Sequence, residues 1–344
     1  MRYARVRSLR RTVALSGLVI AALVIGGCSN NDTATESSSS DFETVTIESA
    51  LGNAVITEKP ERIVTLGMGS AETVIALGTI PVGVEKYAWG SDDTGNLPWV
   101  HEAVTKQGGE LPEQFTGGTD LNIEAIIALE PDLILAPWSG ITQQQFDSLN
   151  AFAPTVAYAE SPWTITWEDQ INVIGKAMGE SEKATSEIDK IKSQFAESTA
   201  AHPNYADVSF SFIYNTGPGT LGVFFFAEEQ RVAMVRALGL QVDPVVYTLT
   251  ESEGTDSAVI GLENANLLDK SDLLFTFYSD PANRAEIEAQ PAYQAIPAVA
   301  RGTVIAPTEQ PFVTGSSMIN PLTVPWSLER YVPMIDEAIA KLNK

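Results

Sequence analysis

The sequence predicts an α/β protein of two lobes, each built on a mainly parallel sheet flanked by helices, joined by a single long helix. Strands alternate with helices over residues 62–158 and again over residues 208–342, a pattern typical of parallel sheets with helices on their faces. Between the two series, apolar residues recur only at helical spacing. A chain of 344 residues with 44% hydrophobic content is long enough for two such cores.

The first lobe begins with two alternating segments, 44–49 and 53–57, which predict a hairpin around Leu51 and Gly52. Short apolar strands and helices follow, and the helices end at Gly78 or at Glu130-Pro131. The predicted strands are 62–66, 80–84, 133–136 and 156–158, and the predicted helices are 71–77 and 121–129.

The connecting helix is predicted over residues 181–200, where Ile188, Ile191 and Phe195 share one face. Twenty helical residues span about 30 Å, which is enough to run along a small two-lobed protein. The second lobe then repeats the alternation. Its predicted strands are 208–214, 273–278 and 304–305, and its predicted helices are 230–238, 262–268 and 327–342.

The N-terminus reads as an export signal with a lipid attachment site. Five arginines precede an apolar run over residues 13–25, which is too short to span a membrane and ends in Gly26, Gly27 and Cys28. This matches a bacterial lipobox, so we expect cleavage before Cys28 and acylation of its thiol; Arg10 and Arg11 leave the Sec and twin-arginine routes both open. The expected organisation is signal peptide 1–27, lipidated cysteine and flexible tether 28–43, N-terminal lobe 44–166, interlobe helical segment 167–202 and C-terminal lobe 203–344.

The net charge and the cysteine content limit which binding partners the protein can have. The net charge of −23 excludes nucleic acid, which needs basic clusters, and disfavours docking of the protein surface on anionic lipid. Cys28 is the only cysteine, so no disulfide is expected. We therefore expect a monomer, held by its lipid on the outer face of the cytoplasmic membrane.

Candidate ligand-binding residues follow the predicted strands, because ligands of open parallel sheets bind beyond the carboxyl ends of the strands. They are mainly large aromatic side chains with a few polar groups, which suits a bulky ligand with an apolar exterior. Each aromatic residue could equally be ordinary packing, and Arg231 could be a solvated surface residue. The candidates are Lys86, Tyr87, Trp89, Trp138, Ser139, Tyr158, Trp163, Tyr214, Phe224, Phe225, Arg231 and Tyr278.

The motifs of common enzyme classes are missing from the sequence. It contains no nucleophile elbow, P-loop, dinucleotide fingerprint or HExxH motif, although an unrecognised pair of carboxylates remains an alternative. We expect no enzyme and no cofactor.

Four ordered motifs resemble the periplasmic binding proteins for siderophores, haem and cobalamin. Together they extend over nearly the whole chain after the tether. They are the segments 62–84, 122–135, 293–304 and 321–329. The resemblance implies two lobes on one long helix and an ABC importer permease as partner. It also implies that Glu124 and Glu263, each early in a helix and one in each lobe, dock to permease arginines; acids favoured by the helix dipole are the alternative.

The resemblance leaves several ligands open. Relatives that bind bare metal ions use several histidines, whereas this chain has only His101 and His202, so no direct metal site is expected. His101 is expected in a surface loop at Pro98–His101, with a position behind the ligand pocket as the alternative, and His202 in a structural position after the long helix. Lys86 and Arg231 are few cations for a catecholate, so we favour a ferric hydroxamate or mixed siderophore, with haem or cobalamin as alternatives.

Overall fold

The computed structural model describes residues 42–214, 219–224, 229–252 and 257–342. Several predicted features lie outside these residues: the signal peptide, Cys28, all but the last two residues of the tether, and Phe225. The predicted fold class, two α/β lobes joined by one long helix, is confirmed over the described part of the chain.

The N-terminal hairpin pairs β1 (Val45–Ser49) with β2 (Gly52–Ile56) in antiparallel register. Ile47, Ala54 and Ile56 are buried, which accounts for the alternating pattern of the sequence. The backbone N–H of Ala50 donates to the carbonyl of Tyr158 at 3.0 Å and so attaches the hairpin to the first lobe.

Five parallel strands form the sheet of the N-terminal lobe in the order β5-β4-β3-β6-β7. They are β3 (Ile63–Thr65), β4 (Gly83–Glu85), β5 (Glu113–Phe115), β6 (Leu133–Leu135) and β7 (Thr155–Val156). Along the chain, β4 and β5 are added on one side of β3, and β6 and β7 are added on the other. The strand order therefore reverses between β3 and β6, which is where open α/β sheets bind ligands.

Four helices pack around this sheet. They are α1 (Ser70–Ala76), α2 (Pro98–Gln107), α3 (Ile123–Ala128) and α4 (Gln143–Asn150). Polar side chains cap two of them: Asn122 accepts from the N–H of Ala125 in α3, and Thr142 with Gln145 forms a capping box at α4.

The prediction of a loop at Pro98–His101 is wrong, because these residues form the first turn of α2. Pro98 occupies the first helical position, where a missing N–H costs nothing. Trp99 is 2% exposed and packs inward with Val100 and Val104. His101 remains at the surface, with its Nδ1 2.7 Å from an oxygen of Asp92.

The connection between the lobes consists of α5 (Trp167–Met178) and α6 (Ser181–Ala201). The helix predicted over residues 181–200 is thus confirmed, and Ile188, Ile191 and Phe195 bury its apolar face. His202 follows α6, where its ring stacks on Tyr205 with centroids 4.9 Å apart.

The C-terminal sheet has the order β11-β9-β8-β12-β13, and β10 also pairs with β8. Its strands are β8 (Ser209–Tyr214), β9 (Thr220–Phe224), β10 (Gln241–Val242), β11 (Ser257–Gly261), β12 (Leu273–Phe275) and β13 (Val304–Ile305). β8, β10, β12 and β13 run parallel, whereas β9 and β11 add an antiparallel edge that was not predicted from the sequence. The parallel order reverses between β8 and β12.

The remaining helices surround this second sheet. They are α7 (Gln230–Ala237), α8 (Pro281–Glu288), α9 (Pro291–Gln294), α10 (Pro297–Arg301), α11 (Gln310–Gly315) and α12 (Thr323–Leu342). The helix predicted at residues 262–268 is present as a 3₁₀ helix, Leu262–Leu268, rather than an α-helix.

A second contact besides the long helix joins the lobes. Trp326 of α12 packs edge-on against Trp99 of α2, with ring centroids 5.2 Å apart. Gly315 lies against both rings, because a Cβ added there would come within 2.9 Å of each. The first lobe is therefore held at α6 and again at α12.

Candidate functional site

The loops after β3 and β6 meet where the strand order of the first sheet reverses. A Cβ on Gly67 would lie 1.7 Å from the carbonyl oxygen of Trp138, and Gly67 has a φ of 74°, so glycine is required there on both counts. Trp138 is half-buried beside it, and the hydroxyl of buried Ser139 donates to the carbonyl of Ala136 at 2.7 Å. The structure thus places the predicted pair Trp138 and Ser139 at the point favoured for ligand binding.

Tyr158 and Trp163 contact the same loop. The hydroxyl of buried Tyr158 donates to the carbonyl of Ile141 at 3.3 Å. Trp163 is 58% exposed, and its ring lies so close to Gly140 that a Cβ there would come within 2.1 Å of it. Four of the candidate residues therefore gather around residues 137–141.

The loop after β4 carries three further candidates, Lys86, Tyr87 and Trp89. Lys86 is exposed, and Trp89 is 39% exposed. Tyr87 is half-buried and donates its hydroxyl to Glu85 Oε2 at 3.3 Å. Burial, followed by the negative charge of Glu85, raises the pKa of the Tyr87 phenol well above its usual value, so Tyr87 stays a hydrogen-bond donor at neutral pH.

This loop is held against α11 of the second lobe. A Cβ on Gly90 would lie 2.3 Å from Thr314 Oγ1, and the φ of Gly90 is 92°. The loop that carries Lys86, Tyr87 and Trp89 therefore packs against the other lobe.

A cavity of about 30 Å³ lies at the ends of β3 and β4. Its lining includes Glu72, Glu85, Tyr87 and Asn96. Of these, only Tyr87 was predicted from the sequence, although Glu85 stands at the end of the same strand and could have been found by the same reasoning.

Glu72 is a buried carboxylate of α1, 2% exposed, that accepts a hydrogen bond from the indole N–H of Trp99 at 2.9 Å. Burial raises the pKa of the Glu72 carboxyl, and the bond from Trp99 offsets part of this rise. Since Trp99 contacts Trp326, the carboxylate of Glu72 helps to fix the contact between the lobes.

In the C-terminal lobe, the predicted Tyr214 and Tyr278 line one small cavity of about 10 Å³ at the ends of β8 and β12. Tyr214 shares a hydrogen bond of 3.0 Å with the Ser257 hydroxyl, and Tyr278 shares one of 3.2 Å with the Tyr293 hydroxyl. Burial raises the pKa of the Tyr278 phenol. The two tyrosines thus occupy the reversal point of the second sheet, as Trp138 does in the first.

The other candidates of this lobe are less closely grouped. Arg231, at the start of α7, has its Nη1 2.5 Å from Glu229 Oε1, so its guanidinium already has a carboxylate partner. Phe224 ends β9, but its side chain, like the whole of Phe225, lies outside the described residues.

Glu124 and Glu263 stand apart from both cavities. Each is exposed and lies in the first turn of its helix, α3 for Glu124 and the 3₁₀ helix Leu262–Leu268 for Glu263. In the described part of the chain, no group of three or more His, Cys, Asp and Glu side chains is placed to hold a metal ion. Within the same part, every helix is too short or too polar to span a bilayer.

Comparison with known proteins identifies the family. The family model described as periplasmic binding protein matches residues 63–311. The chain belongs to the periplasmic binding protein family. The match runs from β3 into α11, so it includes both reversal points and the helix between the lobes.

Two curated relatives of this periplasmic binding protein are lipoproteins of Bacillus subtilis strain 168. A probable siderophore-binding lipoprotein, YfiY, is 32% identical over 167 residues, 48% of each chain. A putative ABC transporter substrate-binding lipoprotein, YhfQ, is 26% identical over 176 residues, 50% of each chain. The chain thus spans about half the length of the curated relatives it matches.

A solved structure extends the similarity to most of the chain. Streptococcus pneumoniae TIGR4 PiaA in complex with ferrichrome has a TM-score of 0.77 and 27% identity. The match covers 86% of this chain and 99% of PiaA.

Proposed function

We propose that this protein captures a ferric siderophore and delivers it to the permease of an ABC importer. The observation that carries the proposal is the similarity to ferrichrome-bound PiaA over 99% of that chain. Aromatic side chains at the reversal points of both sheets support it, because rigid apolar rings suit the exterior of a bulky chelate.

The proposed binding residues are those that follow the strands of the two lobes. They are Lys86, Tyr87, Trp89, Trp138, Ser139, Tyr158, Trp163, Tyr214, Phe224, Phe225, Arg231 and Tyr278. In this proposal the Arg231 guanidinium binds the ligand either together with Glu229 or in place of it. The net charge of −23 and the few basic groups favour a hydroxamate or mixed chelate over an anionic catecholate.

We further propose that the protein works as a monomer without catalysis or cofactor, within the lobe boundaries 44–166, 167–202 and 203–344. A lipid on Cys28 would hold it to the outer face of the cytoplasmic membrane, with residues 28–43 as tether. The names of YfiY and YhfQ as lipoproteins support this anchor. Cys28→Ala protein should leave the membrane fraction or remain unprocessed, and wild-type protein wholly in the soluble fraction would contradict the anchor.

A titration of tryptophan fluorescence with a panel of ligands tests the function. The panel holds ferric hydroxamate, mixed and catecholate siderophores, haem and cobalamin. We expect a ferric hydroxamate or mixed siderophore to quench at the lowest concentration, whereas strongest binding of haem or cobalamin would favour the alternatives. No binding of any of them would contradict the proposal.

Trp138→Ala tests whether the quenching reports the proposed site. Loss of this aromatic contact should weaken binding by about 1–3 kcal/mol, the usual range for a central residue of an interface. Phe152→Ala, which removes an aromatic ring that is 45% exposed and lines neither cavity, is the matched control and should bind like the wild type.

A further inference from the structure

The cavity at the ends of β3 and β4 is lined mainly by apolar groups, and two carboxylates stand among its few polar ones. Its polar lining includes the carboxylates of Glu72 and Glu85 and the amide of Asn96. Among the described residues, no lysine or arginine lines it, and neither carboxylate forms an ion pair. The local field therefore favours a positive occupant.

Asn96 supplies an acceptor that the folded chain leaves unused. The residue is 5% exposed, and its Nδ2 lies 3.3 Å from Thr94 Oγ1. Its Oδ1 is buried and accepts no hydrogen bond from the described residues. A buried acceptor without a partner is destabilising, so an occupant that donates a hydrogen bond to it would be stabilised there.

Glu85 is held with its carboxylate at the cavity wall. Its Oε2 accepts the backbone N–H of Gly67 at 2.9 Å and the hydroxyl of Tyr87 at 3.3 Å. Both donors belong to the strand-end loops that carry the proposed chelate site. The carboxylate is therefore oriented without a cation, and it borders the site directly.

We propose that this cavity binds a primary ammonium group carried by the chelate. An alkylammonium has three donors and no acceptor, which matches the carboxylates of Glu72 and Glu85 and the free oxygen of Asn96. A space of about 30 Å³ accommodates such a headgroup, since about 10–15 Å³ already holds one water molecule. The inference rests on the proposed function and narrows its ligand to ferric chelates that bear a protonated amine.

The test compares two ferric chelates that differ in one group. The first is a ferric linear trihydroxamate that ends in a primary amine, and the second is the same chelate with that amine acetylated. Tryptophan quenching on the wild-type protein should give an affinity about tenfold higher for the free amine, the scale of one hydrogen bond between charged groups. This comparison requires no variant.

Glu85→Gln then assigns the preference to the cavity. Glutamine keeps an oxygen for the N–H of Gly67 but removes the charge, so the ratio of the free-amine affinity to the acetylated affinity, about ten in the wild type, should fall most of the way to one. Glu197→Gln, on the exposed surface of α6, is the matched control and should keep the full preference.

The outcomes separate this inference from the proposed function. Equal wild-type affinity for the two chelates would overturn the ammonium site and leave siderophore binding intact, with the cavity then holding only water. An equal loss of affinity for both chelates in Glu85→Gln would also overturn the ammonium site. Failure of every ferric chelate to bind would overturn the proposed function itself.

Discussion

At the scale of single residues, two carboxylates at the cavity of the first lobe accept hydrogen bonds from neutral donors. Glu72 accepts from the Trp99 indole, and Glu85 accepts from the Gly67 backbone. Buried charges are usually paired with an opposite charge, so the buried Glu72 carries a cost that packing elsewhere must offset. Such residues are typical of binding sites, where a ligand completes the pairing.

Glu72 gives a prediction about stability and pH. Burial raises the pKa of its carboxyl in the folded protein, whereas in the unfolded chain that pKa is about 4.3. Between these two values the folded state binds more protons, so the free energy of unfolding falls as pH rises. Glu72→Gln keeps an oxygen for Trp99 and removes this loss.

Thermal melting of wild type and Glu72→Gln at two pH values checks this. The melting temperature of the variant relative to wild type should be higher at about pH 7.5 than at about pH 4, where both states of the wild type take up the proton. The same difference at both pH values would show that Glu72 is not a desolvated acid.

Strand ends could be located from the sequence, but the residues that fill the space beyond them could not all be found. Trp138, Tyr214 and Tyr278 were predicted because they directly follow apolar strands, and the structure places them at the reversal points. Asn96 was not predicted, because it lies in the long loop between β4 and α2, well beyond the end of β4.

At the scale of secondary-structure elements, the periodicity of the sequence was sufficient to predict an element that buries one clear face. The helix of residues 181–200 and the β1–β2 hairpin were predicted nearly to the residue. β11 was missed because, within the described chain, it pairs only with β9, which is more than 30 residues away in sequence, so that local patterns carry no sign of the pairing. β9 pairs with the nearby β8 and was missed although that pairing is local. α2 was missed because Pro98 was taken as a loop residue rather than as a helix start.

The contact between the β4 loop and α11 gives a prediction at this scale. Gly90→Ala should destabilise the protein by about 1–3 kcal/mol, since a Cβ there meets Thr314 and adopts an unfavourable φ. It should also weaken chelate binding, because Lys86, Tyr87 and Trp89 lie on the same loop.

Gly78→Ala separates the two causes. Gly78 has a φ of 100°, similar to that of Gly90, but a Cβ added there meets no atom within 4 Å. Denaturant unfolding should show a smaller loss for Gly78→Ala, with chelate affinity unchanged. Equal losses of stability in both variants would mean that backbone strain alone destabilises Gly90→Ala and that the contact with α11 is unimportant.

At the scale of the whole molecule, several connections restrain the lobes. α6 runs between them, the Trp99–Trp326 contact joins α2 to α12, and the loop after β4 packs against α11 at Gly90 and Thr314. Because closure would have to bend a helix or separate packed rings, we expect it to be small. Small-angle scattering should give nearly the same radius of gyration with and without chelate, and a clear contraction on loading would contradict this.

Delivery to the permease depends on different residues from capture. We propose that the exposed Glu124 and Glu263 dock to permease arginines, and such rim charges mainly affect encounter rate and orientation. The double variant Glu124→Ala with Glu263→Ala should bind chelate normally but support less uptake in cells. Glu182→Ala, which removes an exposed acid from the first turn of α6, is the matched control. Normal uptake by the double variant would overturn the docking role.

The central claim is that one ferric chelate binds at the strand ends of the two lobes. Anomalous X-ray scattering at the iron edge, from crystals grown with a ferric hydroxamate, locates the metal directly. We expect a single iron peak per chain, bordered by Trp138 and Tyr87 of the first lobe and by Tyr214 or Tyr278 of the second. An iron peak on the outer surface of either lobe, or no peak in crystals that contain the chelate, would contradict the claim.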